Sequence, residues 1–416
     1  MRTKSSPSRW DRRANVIAWC TILGTWAVMY ASQLLVRTLF YADTRFYMAM
    51  SYWFGGESQD SARNLTATVS ESHGMPMPDT ATVFGWGLVQ PRVVLPALSA
   101  PFVRIFGPDG MLVVPGLATL AFVVLVTWLL LRRYGPAATT ATMLLMLTSI
   151  FVMSYMTGML TESLSALWTA LTLAAAWRYL RTPRWYWLAA MAGLTVVSAF
   201  TRQATLIVTG AFVVAWLADL VRRRGRRSGW TWPAVTVTAT TLVSQAVQSS
   251  VFPTFSQKDQ FLRMTGTDSL PAALAKVPGL VGDLVRRDFQ NYMSSDRPLL
   301  LLVLLSLVAA VVCWRRTEAH LLLGAGLGFA VYNITNGNAT WFRYAVPGLV
   351  FYLLTIALLM SLMSHRLVAA RHAAGGDDPG AAPAVDPGED PVPQDDEVAG
   401  RHRDHADGLG EPGREA

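Results

Sequence analysis

A polytopic bundle of membrane helices, all-α, is the fold class that this 416-residue chain predicts, and three observations predict it. Hydrophobic residues make up 52% of the chain and charged ones only 15%, with a mean hydropathy of +0.33. Apolar runs close to the roughly 20 residues needed to span a bilayer recur along the chain. The arginines behind the formal charge of +8 gather at the ends of those runs, where they orient helices in a membrane. No nucleic-acid module is visible, and Cys20 and Cys313 lie far apart in apolar segments without metal-ligand spacing.

The elements follow in order. Residues 1–13 carry Arg2, Lys4, Arg9, Arg12 and Arg13 ahead of an apolar run at 14–38. That run is too long for a signal-peptide core and has no small-residue cleavage site, so it reads as a retained first helix with a cytoplasmic N-terminus. Further runs lie at 84–106, 111–131, 137–157, 161–180, 185–200, 204–221, 230–252, 298–314, 319–336 and 344–364. The expectation is about ten or eleven membrane segments across residues 14–364.

Basic clusters at Arg132-Arg133, at Arg178/Arg181/Arg184, at Arg222–Arg227 and at Arg315-Arg316 belong on the cytoplasmic side. This count leaves one segment too many before residue 184. The segment expected not to cross is 84–106, where Pro91, Pro96 and Pro101 interrupt helical bonding and Arg92 is costly against lipid. Residues 39–83, Thr161-Glu162-Ser163, 253–297 and 335–343 then face outward. The first outer loop and the 253–297 loop are expected to hold amphipathic helices on the membrane surface, the latter through Phe255, Phe261, Leu270, Leu274 and Phe289 among charges. From 365 to 416 the composition turns to Gly, Pro, Asp, Glu and Arg, as in a disordered cytoplasmic tail.

Ionisable residues at the edge of membrane helices are expensive, so their positions are informative. Asp43, Arg92, Glu162, Arg202 and Arg343, far apart in sequence, are all expected on the outer side. Asp43 lies in Leu39-Phe40-Tyr41-Ala42-Asp43-Thr44-Arg45-Phe46-Tyr47, just before the aromatic patch Tyr52-Trp53-Phe54. A carboxylate there stays hydrated above a membrane floor, placed to take a proton from an attacking hydroxyl or to hold a divalent metal. Its plainer reading is a helix N-cap. Glu162 supplies a second carboxylate, with Thr161 as a possible cap of the next helix and the helix dipole as its plainer partner. Arg92, Arg202 and Arg343 can each fork onto a phosphate, or snorkel to the interface. His73 reads as a solvated loop histidine, and Asn64, Asn333 and Asn338 match the short glycosylation pattern. Walker, dinucleotide-binding, zinc-protease and nucleophile-elbow patterns are absent, which argues against soluble nucleotide chemistry and hydrolase folds.

Several short motifs, in order, carry a resemblance. They are Tyr41-Ala42-Asp43-Thr44-Arg45-Phe46-Tyr47, Gln90-Pro91-Arg92-Val93-Val94-Leu95-Pro96, Arg132-Arg133-Tyr134-Gly135, Thr161-Glu162-Ser163-Leu164, Ala199-Phe200-Thr201-Arg202 and Trp341-Phe342-Arg343-Tyr344-Ala345-Val346-Pro347. Over residues 14–364 the chain resembles the GT-C superfamily of integral-membrane glycosyltransferases, notably the polyprenyl-phosphate-mannose-dependent mannosyltransferases and the aminoarabinose transferases. The resemblance implies a catalytic carboxylate at Asp43, a polyprenyl-phosphate sugar donor, and inverting transfer of a hexose, most simply mannose, on the extracytoplasmic face. The acceptor is a cell-envelope glycan, glycolipid or protein. The first outer loop lacks the paired Asp-Glu and the chain lacks the His-Pro-Pro-Leu signature, which leaves the acceptor and any divalent metal open. A second reading gives the same charges to the path of a lipid or oligosaccharide transporter or flippase. A third is an assembly subunit without chemistry.

Overall fold

The computed structural model describes residues 9–37, 39–223, 228–252, 256–336 and 342–375. The chain divides into two units, Met1–Leu367 and Val368–Ala416, the second described only as far as Gly375. Most of the expected tail and the first eight residues lie outside the described residues, as does the 38th.

Among the described residues there are helices and turns and no strand. The order is α1 (Arg9–Val36), α2 (Thr44–Phe54), α3 (Gln59–Ser72), α4 (Thr80–Gly85), α5 (Val94–Phe106), a 3₁₀ turn (Gly107–Leu112), α6 (Val113–Tyr134), α7 (Pro136–Leu147), α8 (Ile150–Thr157) and α9 (Glu162–Arg181). It continues with α10 (Trp185–Thr201), α11 (Thr205–Arg222), α12 (Thr231–Val251), α13 (Gln257–Thr265), α14 (Leu270–Ser295), α15 (Arg297–Val312), α16 (Thr317–Asn336), a second 3₁₀ turn (Arg343–Gly348) and α17 (Leu349–Gly375).

Four stretches are long and apolar enough to cross a membrane: Arg12–Val36, Val94–Tyr134, Thr205–Arg222 and Arg343–Ser364. Helices α7 and α8, bent by 75°, form a fifth if taken together. This is fewer than the ten or eleven expected. Two of the missing segments, α10 and α15, are apolar but short, and α9, α12 and α16 carry too many polar residues. In α9 the polar residues Ser163, Ser165, Thr169 and Thr172 are buried, and in α12 so are Thr241, Ser244 and Gln248. These side chains turn into the bundle, where they lower each helix's hydropathy without facing outward.

The 84–106 segment is broken as expected, around Pro91 but not at its two later prolines. Helix α5 runs through Pro96 and Pro101. Pro96 falls in the first turn, where a missing N–H costs little. The chain instead turns over the residues between α4 and α5, and again at Gly107, whose φ of 68° suits glycine. At 13 residues α5 is about 20 Å long, too short to span, and it packs against α2. The uninterrupted helix in Val94–Tyr134 that is long enough to cross is α6, 22 residues or about 33 Å.

Two devices fix the helices that carry the site. Gly324 and Gly328 on α16 lie backbone to backbone against α11: a Cβ on Gly324 would stand 2.2 Å from the Gly210 carbonyl oxygen, and one on Gly328 2.2 Å from that of Leu206. Small residues four apart let helices approach this closely in a membrane. The second device is Asp296, which is buried. Its Oδ1 accepts from the Leu299 amide and its Oδ2 from the Ser149 hydroxyl and the Phe151 amide. One carboxylate thus caps both α15 and α8, satisfying amides that each helix start leaves open.

Candidate functional site

The link between α1 and α2 is tied to the link between α8 and α9. The Thr44 hydroxyl donates to the Met159 carbonyl at 3.1 Å, and the Met159 amide donates to the Leu39 carbonyl at 3.1 Å. The Tyr41 ring lies over Gly158, where a Cβ would come within 2.6 Å of it. Only glycine permits that approach. The consequence is that Asp43, at the N-cap position of α2, comes next to Glu162, the first residue of α9.

Asp43 does not play its plainer role, whereas Glu162 does stand in the first turn of α9, where the helix dipole favours it. The Asp43 side chain makes no cap bond to α2, and Thr161, the N-cap residue of α9, makes none to α9. Both carboxylates point at arginines instead. Arg343 donates from Nη2 to Asp43 Oδ2 at 2.6 Å and from Nε to Glu162 Oε1. Arg202 Nη1 pairs with the same Glu162 oxygen at 2.9 Å, both side chains fully buried. Arg92 Nη1 stands 3.7 Å from Asp43 Oδ2. All five residues expected to meet are brought together.

The cluster has a second layer, of which the sequence pointed to Tyr47 as part of a motif and to Thr161 as a cap, but not to Gln203 or Tyr332. Arg92 donates from Nη1 to the Tyr47 hydroxyl and from Nε to Oε1 of Gln203, each at 2.9 Å. Arg202 donates from Nε to the Tyr332 hydroxyl at 3.0 Å and from Nη1 to the Thr161 hydroxyl at 3.2 Å, with its guanidinium 4.9 Å from the centre of the Tyr344 ring. These partners hold the guanidinium planes in fixed orientations. The Nη2 of Arg202 is buried and makes no hydrogen bond among the described residues. The one non-glycine residue with positive φ among the described residues, Phe342 at 74°, directly precedes Arg343. Such backbone strain concentrates where a side chain must be aimed.

Three guanidiniums face two carboxylates, leaving an excess positive charge. Burial pushes the Asp43 carboxyl up, yet the charges of Arg343, Arg92 and Arg202 outweigh it and hold the group at about 2. Its side chain is 19% exposed, so it keeps some contact with the surroundings. Burial works against the charge of Arg92, and the neighbouring Tyr47, Tyr332 and Asp43 more than restore it, so its pKa is raised.

Beside the cluster runs an apolar groove of about 320 Å³. Leu284 and Phe289 of α14, Leu300 and Leu307 of α15, and Tyr352 of α17 line it, together with Phe342, the neighbour of Arg343.

The arrangement does not fit a resident divalent cation. Both carboxylates are engaged by guanidiniums, and among the described residues no three His, Cys, Asp or Glu side chains group as metal ligands. His73 bonds through Nδ1 to the Val69 carbonyl and stacks on Phe40, in keeping with a loop role. Asn333 is buried and Asn64 exposed, while the glycosylation match at 338 lies outside the described residues.

No protein-family profile, curated protein or solved structure matches the chain.

Proposed function

We propose that the protein is a membrane glycosyltransferase of GT-C type, moving a hexose such as mannose from a polyprenyl phosphate to a cell-envelope acceptor on the extracytoplasmic face. The observation that carries this reading is the fork of Arg343 onto Asp43 and Glu162, with Arg92 and Arg202 closing the cluster next to an apolar groove. A phosphate needs forked cationic donors, its isoprenoid chain needs an apolar channel, and the transfer needs a carboxylate near both.

In the reaction, an acceptor hydroxyl oxygen bonds to the anomeric carbon while the bond from that carbon to the phosphate oxygen breaks. The hydroxyl proton passes to Asp43, and the electron pair leaves with the polyprenyl phosphate, its charge spread over the guanidiniums. A carboxyl held at about 2 is a weak base while it is paired with arginines. A donor phosphate that draws Arg343 and Arg92 to itself frees the carboxylate and strengthens it as a base. The buried Arg202 Nη2, without a hydrogen-bond partner among the described residues, is a further donor for a phosphate oxygen.

The polar-faced and short helices α9, α10, α12, α15 and α16 then complete about ten crossings, with both termini in the cytoplasm. The experiment is direct: purified protein is incubated with a panel of radiolabelled polyprenyl-phosphate sugars and envelope acceptors. A new glycosidic product that disappears with Asp43→Asn supports the reading. Translocation of lipid-linked sugar without any new glycosidic bond replaces it with the transporter.

A further inference from the structure

At the other end of α9 lies a second cationic arrangement that the transfer chemistry does not use. Helix α9 has 20 residues, so its last, Arg181, stands about 30 Å from Glu162 at its first. There α9 and α6 enclose a cleft of about 80 Å³ lined by Arg132, Arg133, Arg178 and Arg181. The guanidinium of Arg132 lies 4.3 Å from the centre of the Trp128 ring, and that of Arg133 4.6 Å from that of Trp177. Leu129 and Ala174 complete the lining with apolar surface. Of the four arginines, only Arg133 is paired with a carboxylate among the described residues, Glu318 at 2.6 Å.

Snorkelling alone would scatter these side chains towards water. Instead, two of the four guanidiniums are laid on indole faces, which fixes their planes and reduces the entropy lost when they bind a ligand. Tryptophan itself favours the headgroup layer, and unpaired arginines there attract anionic headgroups. The cleft volume suits a single phosphate group, and the apolar surface beside it suits the start of acyl chains.

We propose that the cleft between α6 and α9 binds the headgroup of an anionic phospholipid, in the leaflet opposite the transfer site. The forked donors take the phosphodiester oxygens, and the net positive charge selects against a zwitterionic headgroup, whose ammonium it repels.

The test is native mass spectrometry of the full chain in detergent, titrated separately with phosphatidylglycerol and phosphatidylcholine. The wild type is expected to retain phosphatidylglycerol in preference. The Arg132→Gln/Arg181→Gln double variant, which leaves the Arg133–Glu318 pair in place, is expected to retain it about thirtyfold less, the loss of two interfacial arginines. Equal retention of the two lipids by the wild type overturns the proposal without any variant, as does unchanged retention by a folded double variant. Displacement of phosphatidylglycerol by millimolar inorganic phosphate also overturns it, by assigning the cleft to a free anion.

Discussion

The Thr44 hydroxyl donates to the Met159 carbonyl across 115 residues of chain, one of the ties that bring Asp43 to Glu162. Thr44→Val keeps the shape and removes the donor. It leaves a buried carbonyl short of a partner, at a cost of about 1–3 kcal/mol. Transfer activity should fall more than stability, because the cluster loses its register. Transfer rate and melting temperature measured side by side check this; equal losses in the two would show that the bond serves stability alone.

Asp43→Asn removes the proposed proton acceptor while nearly preserving shape. Sugar transfer should drop about 10²–10⁴-fold, the usual share of a general base. Gel filtration and thermal melting should show a folded protein, and binding of the donor lipid should persist. Full activity in the variant would remove Asp43 from the chemistry.

The pH dependence has a definite sign. Asp43 is depressed from 3.8 to about 2 by its arginines, so its pairing stabilises the fold fully above pH 3.8 and is lost as pH falls through about 2. That amounts to on the order of 2 kcal/mol. The melting-temperature gap between wild type and Asp43→Asn should therefore stay constant from pH 8 down to pH 4 and close only below it. A gap that closes between pH 7 and pH 5 contradicts this pairing.

Glu162 and Arg202 are fully buried, and Glu162 also receives Arg343. Glu162→Gln leaves two cations facing each other and should destabilise by about 3–5 kcal/mol. Arg343→Lys keeps the charge but cannot fork onto both carboxylates, so it should lose activity with a smaller loss of stability. Chemical denaturation and transfer assays on the two variants separate the effects.

At the seam of α11 and α16, Gly324→Ala places a methyl 2.2 Å from a carbonyl oxygen and should cut the folded yield sharply. Gly326, two residues away on the same helix, has open space around its missing Cβ. Gly326→Ala should be neutral or stabilising by up to about 1 kcal/mol. Comparing melting temperatures of the two checks whether close packing or helix propensity governs this pair.

The five charged residues of the site were legible because charge in an apolar chain needs a reason, and pairing with one another supplies it. Their supports were not. Tyr47, Gln203, Tyr332 and Thr161 are ordinary residues for a helix or its end, and only the fold shows that their polar atoms meet arginines. The break near 84–106 was readable from Pro91 and Arg92, but Pro96 and Pro101 misled, since a helix tolerates proline where its first-turn amides are free or where the chain bends. The shortfall in spans has a similar cause: hydropathy averages a helix around its axis, whereas α9 hides its hydroxyls on one side.

The glycine seam has one more consequence. With α11 and α16 packed backbone to backbone, Tyr332 on α16 is held against Arg202, which stands three residues ahead of α11. On the opposite side Arg343 rides on a short turn behind the strained Phe342. Loosening that turn would unfasten one guanidinium from both carboxylates in a single stroke, leaving Glu162 on Arg202 and Asp43 near Arg92.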